Sequence, residues 1–252
     1  MYESHPIFVQ PENENVRVWR YMDFTKFVSF IESRCLYFTR ADKFDDPFEG
    51  SSPKMNVYAR NDLPLDVPPE HQGVYLKNMT ELGPILQIWR RYHALNCWHI
   101  NEHESAALWK LYFKNDEGIA IQSTYRKLRD SFTDDEKVFL GVVKYIDYEK
   151  EGINTNSFSS FVHKRKSFEH EREVRALVEK LPISESGCGY DYRKETISHG
   201  VKVRVDVEQL IEKIYLAPGT PSWLANLVKS IAKQYKYTFE VEHSKLDQRP
   251  FF

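Results

Sequence analysis

Short segments with strand character recur along most of this chain, and only a few helical segments separate them. Apolar residues that alternate or cluster in short runs predict strands over residues 16–21, 35–39, 94–100, 118–122, 138–145, 171–178, 201–205, 211–216 and 238–241. Apolar spacing by three and four residues predicts helices over residues 24–33, 105–113, 155–167 and 223–235. Strands in runs, without steady alternation of strand and helix, indicate an α+β fold with a mixed, largely antiparallel sheet and flanking helices.

The length of 252 residues suits a single large domain. Residues 1–15 are polar and contain two prolines, which indicates a loose N-terminal lead-in. Residues 16–252 then form a single α+β domain, with a helical insertion at about 53–93 that a proline-rich loop interrupts. The insertion is too short to build a core of its own, so it belongs to the larger domain. The sequence has neither a GxGxxG turn nor a GxxxxGK(S/T) loop, so Rossmann and P-loop folds are not expected.

The composition excludes several classes of protein. Hydrophobic residues make up 41% of the chain, which is enough for a core and excludes wholesale disorder. A formal net charge of −2 argues against a protein that coats polyanions generally. Cys35, Cys97 and Cys188 lie far apart, so neither a disulfide framework nor a zinc site of four thiolates is expected. No secretory signal or membrane-spanning stretch is visible, so we expect a cytoplasmic protein with no membrane partner.

The stretch from Glu171 to Arg175 alternates in the period of a strand. Glu171, Glu173 and Arg175 would then share one face, because side chains two residues apart in a strand point the same way. If that face lines a cleft, its carboxylates and guanidinium form a polar site. The same alternation is common on half-exposed sheets whose charges pair with neighbouring strands, and both interpretations stay open.

The segment Phe44-Asp45-Asp46-Pro47-Phe48-Glu49 has strong turn chemistry. Its three carboxylates could bind a divalent ion or a ribose hydroxyl. An Asp before a proline is equally typical of a turn with no function, and the two Phe side chains would anchor that turn on the core. A metal-dependent nuclease that uses Asp45, Asp46, Glu49 and Glu171 is one alternative, although the loop lacks the spacing of a calcium loop and no metal ligand is assigned.

Other positions carry side chains whose roles stay open at this point. Trp109 and Tyr112 share one helical face, an arrangement that is more often core than ligand site. His99 belongs to no zinc motif, and Cys97 shows no neighbouring base that would make it a nucleophile. Arg20, at the end of the first predicted strand, could clamp a phosphate or pyrophosphate or be an ordinary strand-edge charge.

The order of these segments is more specific than any one of them. Over residues 16–218 the chain resembles a bacterial family called domain of unknown function 2971. The segments that carry the resemblance are Trp19-Arg20-Tyr21, Leu36-Tyr37-Phe38, the loop from Phe44 to Glu49, Cys97-Trp98-His99, Leu108-Trp109-Lys110-Leu111-Tyr112, the strand at Gly118, Val143-Lys144-Tyr145 and Phe168 to Arg175. The chain departs from the family's pattern at Asp45, where the family has Asn, and at His99, where the family has Ser.

The layout of that family is similar to the ADP-ribosyltransferase fold, and this resemblance implies an enzyme that uses NAD as a substrate. It implies that Glu173 or Glu171 is the catalytic carboxylate, with Arg175 beside it, because a carboxylate stabilises the positive charge that develops on the ribose. The residues that it implies for binding NAD are Arg20, Tyr21, Tyr37, Thr39, Phe44, Asp46, Trp109 and Tyr112. We therefore expect a ring-lined cleft that joins Arg20, Phe44, Trp109 and Glu173.

Three functions agree with these residues. The leading hypothesis is an NAD-using ADP-ribosyltransferase-like enzyme, as a toxin or phage-defence effector that modifies nucleic acid or protein and has an antitoxin as partner. The cluster Lys164-Arg165-Lys166 would suit a nucleic-acid backbone, although such a cluster is usually a solvated helix end. The alternatives are a non-catalytic binding or regulatory protein of the same fold and the metal-dependent nuclease.

Overall fold

The structure is a computed structural model that describes residues 1–64, 66–113 and 117–250. Its strands are β1 (Arg17–Asp23), β2 (Cys35–Arg40), β3 (His93–Ile100), β4 (Gly118–Thr124), β5 (Phe139–Val142), β6 (Lys144–Ile146), β7 (His163–Arg165), β8 (Glu173–Glu179), β9 (Gly200–Arg204), β10 (Lys213–Leu216) and β11 (Glu240–His243). Its helices are α1 (Phe24–Ser33), α2 (Lys54–Ala59), α3 (Pro69–Trp89), α4 (Ala106–Tyr112), α5 (Tyr125–Asp130), α6 (Ser159–Val162), α7 (Val207–Leu210) and α8 (Ser222–Gln234). None of these described helices is long and apolar enough to cross a lipid bilayer.

Nine of the described strands form one sheet. Seven follow the order β11-β10-β4-β1-β3-β2-β9, while β8 pairs with β3 and β5 pairs with β8. The pairs in this sheet are antiparallel, except that β10 and β11 run parallel. Strands β6 and β7 form a separate parallel pair. The predicted α+β fold, with a mixed, largely antiparallel sheet and flanking helices, is therefore confirmed.

Strands β1 and β2 share one edge of the central strand β3. β2 pairs with this edge at Ala94 and Leu95, whereas β1 pairs with it at His99 and Ile100. β1 and β2 therefore diverge, because each pairs with a different end of β3. On the opposite edge, β8 pairs with β3 from His93 to His99. The sheet thus opens on one side of β3 and carries β8 on the other.

Helix α1, which connects β1 to β2, has sequence signals at both ends. Asp23 caps the first turn, because its Oδ1 accepts a hydrogen bond from the Lys26 backbone N–H at 2.7 Å. Arg34 ends the helix in the left-handed conformation, with φ of 54° and its N–H bonded to the carbonyl of Phe30 at 2.9 Å. Phe27 and Phe30 are buried in the core. The helix predicted here is confirmed.

The predicted helix over residues 155–167 is wrong. Within this range only α6 is an α-helix. Strand β7 follows α6 directly, and its backbone pairs with β6. All four side chains of α6 are buried, so this segment packs as a single turn inside the protein rather than as an amphipathic helix. The predicted strand over residues 138–145 is also divided, into β5 and β6.

The predicted strand over residues 171–178 begins later than expected. Glu171 is the last residue of a 3₁₀ turn, Lys166–Glu171, and Arg172 has a positive φ of 44°. Residues in the left-handed region interrupt a regular strand, so β8 begins only at Glu173. Glu171 therefore does not lie on the face of β8.

The helical segment predicted at about 53–93 contains α2 and α3. None of the α3 side chains is fully buried, which is unusual for a helix of 21 residues. At its C-terminal end the Trp89 ring stacks on His93 of β3, with centroids 6.3 Å apart. The limits of this insertion, and of one domain over residues 16–252, stay predictions.

The N-terminal segment, expected to be loose, contacts the sheet at Tyr2 and Phe8. Tyr2 pairs with Val138 as an isolated bridge. Phe8 is 3% exposed and stacks on Phe139, with ring centroids 5.4 Å apart. A Cβ atom at Gly141 would lie 2.9 Å from the Phe8 backbone, so this close approach requires glycine. Phe8 is therefore part of the hydrophobic core, while most of the segment stays at the surface.

Phe8→Ala should lower the free energy of unfolding by about 3 kcal/mol, because it removes a buried ring and leaves a cavity beside Phe139. The matched control is Val9→Ala, since Val9 is 61% exposed. Urea unfolding followed by circular dichroism measures both variants. Equal stability of the two would show that the N-terminal segment adds nothing to the core.

Candidate functional site

A cleft of about 370 Å³ opens where β1 and β2 diverge. Leu95, Cys97 and His99 of β3 contribute to its lining, together with residues of β1, α1 and β2. Six of the eight residues predicted to bind NAD also line it: Arg20, Tyr21, Tyr37, Thr39, Phe44 and Tyr112. The volume lies in the range of about 300–1,000 Å³ that is usual for small-molecule sites.

The cleft contains a guanidinium with no counter-charge among the described residues. Arg20 donates from Nη1 to the backbone carbonyl of Cys97 at 2.8 Å, and its other N–H groups have no protein partner in the described part of the chain. Burial lowers the pKa of Arg20, but an arginine stays charged in proteins. Lys202 and Lys26 also line the cleft, and Asp23 pairs with Lys26 at 2.8 Å. The cleft is therefore suited to an anion.

Aromatic rings surround this charge. Tyr112 stacks on Tyr21, with centroids 6.1 Å apart and planes 13° apart. Tyr37 is 44% exposed and lines the cleft from β2. A Cβ atom at Gly200 would lie 2.3 Å from the Phe38 carbonyl and 2.5 Å from the Tyr37 ring, so glycine lets β9 pack directly against that ring. The rings offer flat, apolar surfaces for a planar ligand.

His99 connects the cleft to the acidic residues beyond β3. Its Nδ1 lies 2.8 Å from the carbonyl of Glu171, and its Nε2 lies 3.2 Å from the hydroxyl of Tyr112. Burial lowers the pKa of His99, so the neutral ring prevails near pH 7. A carbonyl only accepts, so Nδ1 carries the proton and Nε2 accepts from Tyr112. No motif in the sequence assigned His99 a role; its signal is its position on β3, between β1 and β8.

Glu173 is buried next to the cleft but does not line it. It is 1% exposed, and both of its carboxylate oxygens accept hydrogen bonds from Arg175, at 2.8 and 3.1 Å. Lys164 adds a third contact at 3.3 Å. These two cations hold the pKa of Glu173 well below its usual range. Cys97 lies between Glu173 and Arg20: it accepts from Arg20 through its carbonyl, and the charge of Glu173 joins burial in raising the pKa of its thiol.

Arg175 has no N–H group left for a substrate. It donates two hydrogen bonds to Glu173, two to Glu49 at 2.6 and 2.7 Å, and one to the carbonyl of Phe161 at 2.7 Å. A guanidinium has five N–H donors, so all of them are used. Arg175 and Glu49 are both almost completely buried. The arrangement gives Arg175 a structural role.

Glu171 is the more accessible of the two predicted catalytic glutamates. It is 8% exposed, and its Oε2 accepts a hydrogen bond from Lys164 at 2.6 Å. Its Oε1 has no partner among the described residues. Burial raises the pKa of Tyr112 at the edge of the cleft, and the negative charges of Glu173 and Glu171 raise it further. Glu171 does not line the cleft, but the 3₁₀ turn places its carbonyl against His99, which does.

Two of the predicted NAD-binding residues do not line the cleft. Asp46 is engaged elsewhere, since its Oδ1 accepts from Arg165 at 2.8 Å and from the Phe48 backbone N–H at 3.0 Å. Trp109 is 3% exposed and donates from Nε1 to Glu104 at 2.8 Å. Its ring meets Tyr21 edge-on, so it supports the cleft from behind rather than forming its surface. The expected cleft thus joins Arg20 and Phe44 but includes neither Trp109 nor Glu173 in its lining.

Three of the four carboxylates that a metal-dependent nuclease would use are engaged by cations of the protein. Asp46, Glu49 and Glu171 are each bound by a different cation, namely Arg165, Arg175 and Lys164. Among the described residues, no group of three or more His, Cys, Asp or Glu side chains could hold a metal ion.

Comparison with known proteins gives only distant similarities. No protein-family model matches the chain, and a search of curated proteins gave no match. Similar solved structures include Thermus sp. 2.9 DarT in complex with NAD+, at a TM-score of 0.41 and 10% identity over 96% of this chain and 100% of that chain. They also include Thermus sp. 2.9 DarT in complex with carba-NAD+, at a TM-score of 0.38 and 9% identity over 93% of this chain and 98% of that chain. A third is Thermus sp. 2.9 DarT in complex with ADP-ribosylated ssDNA, at a TM-score of 0.37 and 11% identity over 95% of this chain and 97% of that chain. Similarity this distant assigns no ligand or activity, and membership in domain of unknown function 2971 stays a prediction.

Arg175→Met should lower the free energy of unfolding by about 3–5 kcal/mol, because Glu49 and Glu173 would then lie buried without the guanidinium between them. Arg193→Met is the control, since the Arg193 side chain is 91% exposed and pairs with Asp191 at the surface. The control should unfold at the same urea concentration as the wild type. An Arg175→Met protein of wild-type stability would contradict the structural role of this residue.

Proposed function

We propose that this chain binds NAD in the cleft between β1 and β2 and transfers the ADP-ribosyl group to an acceptor. One observation carries the proposal: the Arg20 guanidinium lies in a ring-lined cleft with no carboxylate partner among the described residues. A desolvated cation without a counter-charge favours an anionic ligand. The planar guanidinium matches the paired oxygens of a phosphate or pyrophosphate, and Lys202 adds positive charge, whereas Lys26 is paired with Asp23.

The remaining surface of the cleft suits the other parts of NAD. Tyr37 and Tyr112 are each nearly half-exposed. The part of each ring that does not pack on the protein is therefore available to a nicotinamide or adenine ring. Phe44 adds a third ring from the loop after β2. A cleft with one cationic region and several flat apolar surfaces is what a dinucleotide requires.

Transfer breaks the bond between C1′ of the ribose and the nicotinamide nitrogen, which leaves with the bonding electrons. A new bond then forms from C1′ to the acceptor, whose proton passes to a base. A carboxylate near C1′ stabilises the positive charge on the ribose. Glu171 suits this role better than Glu173, because one of its oxygens has no protein partner in the described chain. His99 holds the backbone of Glu171 next to the cleft.

A non-catalytic NAD-binding protein is the second candidate, and the environment of Glu173 favours it. The carboxylate of Glu173 is buried and engaged by Arg175 and Lys164, as expected of a structural ion pair. In that function the cleft binds NAD without cleaving it. The acceptor (nucleic acid or protein), an antitoxin partner, a role in phage defence and a cytoplasmic location all stay predictions.

Arg20→Gln should weaken NAD binding by about 10- to 100-fold, because it removes charge-assisted hydrogen bonds to the pyrophosphate. Isothermal titration calorimetry measures the affinity. Arg17→Gln is the control on the same strand, since its side chain is 47% exposed and Arg17 does not line the cleft. Wild-type affinity in the Arg20 variant would refute the binding site.

Glu171→Gln should reduce the release of nicotinamide from NAD by about 100-fold or more while leaving NAD affinity within about threefold, because a carboxylate acts mainly in the transition state. Chromatography of the products, with single-stranded DNA or protein as acceptor, measures the release. Glu173→Gln, unlike Glu171→Gln, should lower the free energy of unfolding, since it alters a buried ion pair. Tight NAD binding with no release by the wild type would favour the non-catalytic protein.

A further inference from the structure

A second cleft lies between helices α2 and α3 and the segment 153–160. Its volume is about 300 Å³, and it shares no lining residue with the candidate functional site. Met79, Leu82, Leu86 and Trp89 form its apolar wall. Their spacing places them along one face of α3. Since no residue of α3 is fully buried, this apolar face is only partly covered by the protein.

Two polar residues that also line this cleft, Arg60 and Ser159, have few partners among the described residues. Arg60 donates from Nη2 to Ser52 Oγ at 2.5 Å and has no carboxylate partner among the described residues. Ser159 is 1% exposed, and its Oγ is buried without a hydrogen-bond partner. Buried polar groups in proteins are nearly always paired, so an unpaired hydroxyl and an uncompensated guanidinium in the lining of one cleft point to a ligand.

The walls are held in place by contacts that do not involve a ligand. Asn56 of α2 donates to the Ile153 carbonyl at 2.7 Å and accepts from the Ile153 N–H at 2.8 Å. This reciprocal pair fixes the segment 153–160 to α2. A Cβ atom at Gly83 would lie 3.4 Å from Arg60 Nη1, so the guanidinium rests against the α3 backbone. The cleft is therefore preformed.

We propose that this second cleft binds a small amphiphilic anion. Its carboxylate, sulfonate or phosphate group would pair with Arg60 and accept the hydrogen bond of Ser159. Its apolar body would pack on Met79, Leu82 and Trp89. A neutral apolar molecule would leave Arg60 without a counter-charge, and a highly charged one would leave the α3 face uncovered, so a ligand with both parts should bind most tightly.

The test uses 8-anilinonaphthalene-1-sulfonate, which combines an apolar ring system with one anionic group, and its neutral counterpart N-phenyl-1-naphthylamine. Fluorescence titration should show saturable binding of both probes to the wild type. Arg60→Gln should weaken binding of the sulfonate by about tenfold or more, because a charge-assisted pair is lost, and should leave the neutral probe within about twofold. Met79→Trp should weaken both probes, since the larger ring fills the cleft from a half-buried position.

Circular dichroism melting confirms that each variant is folded, and Arg193→Gln is the matched control. The Arg193 side chain is 91% exposed and lines neither cleft, so this control should leave sulfonate binding unchanged. The proposal fails if the wild type shows no saturable binding, or if Arg60→Gln leaves the sulfonate affinity unchanged. It also fails if Arg60→Gln weakens both probes equally, or if Arg193→Gln weakens sulfonate binding as much as Arg60→Gln does.

Discussion

The candidate site depends on the buried guanidinium of Arg175. Its hydrogen bonds join β8, through Glu173, to the loop that follows β2, through Glu49, and to α6, through the carbonyl of Phe161. Charges this deeply buried are tolerated only when each finds its partners, so the three segments are fixed relative to one another. Because Phe44 belongs to the same loop as Glu49 and lines the cleft, the ion cluster also positions one wall of the site.

Two arginines on either side of β3 show how the same side chain serves structure or binding. Arg175 uses every N–H donor within the protein, so it stabilises the fold and has nothing left to offer. Arg20 uses one contact to the Cys97 carbonyl and keeps the rest of its guanidinium unpaired in the described structure. The difference arises from the sheet, because β8 and β3 pair along their whole shared length whereas β1 and β2 separate.

Periodicity along the sequence predicted most of the strands and helices. It could not predict which residues far apart in the sequence contact one another. The period of a strand correctly placed Glu173 and Arg175 on one face, as their 2.8 Å contact shows. It could not show that this face is buried, because the deciding partner, Glu49, lies 126 residues away in sequence. Helical spacing likewise put Trp109 and Tyr112 together, yet only Tyr112 lines the cleft. Which of two neighbours meets a ligand depends on packing that spacing does not encode.

The direct connection of β1 and β2 through α1 has a consequence for the surface that a ligand meets. α1 has ten residues and spans about 15 Å, with Asp23 and Arg34 joining it to the strands without further linkers. Lys26, Ser29 and Phe30 of this helix line the cleft, whereas the breadth of the opening is set by the pairing of β1 and β2 with opposite ends of β3. Substitutions on this face of α1 would therefore alter the chemistry of the lining without altering the separation of the two strands.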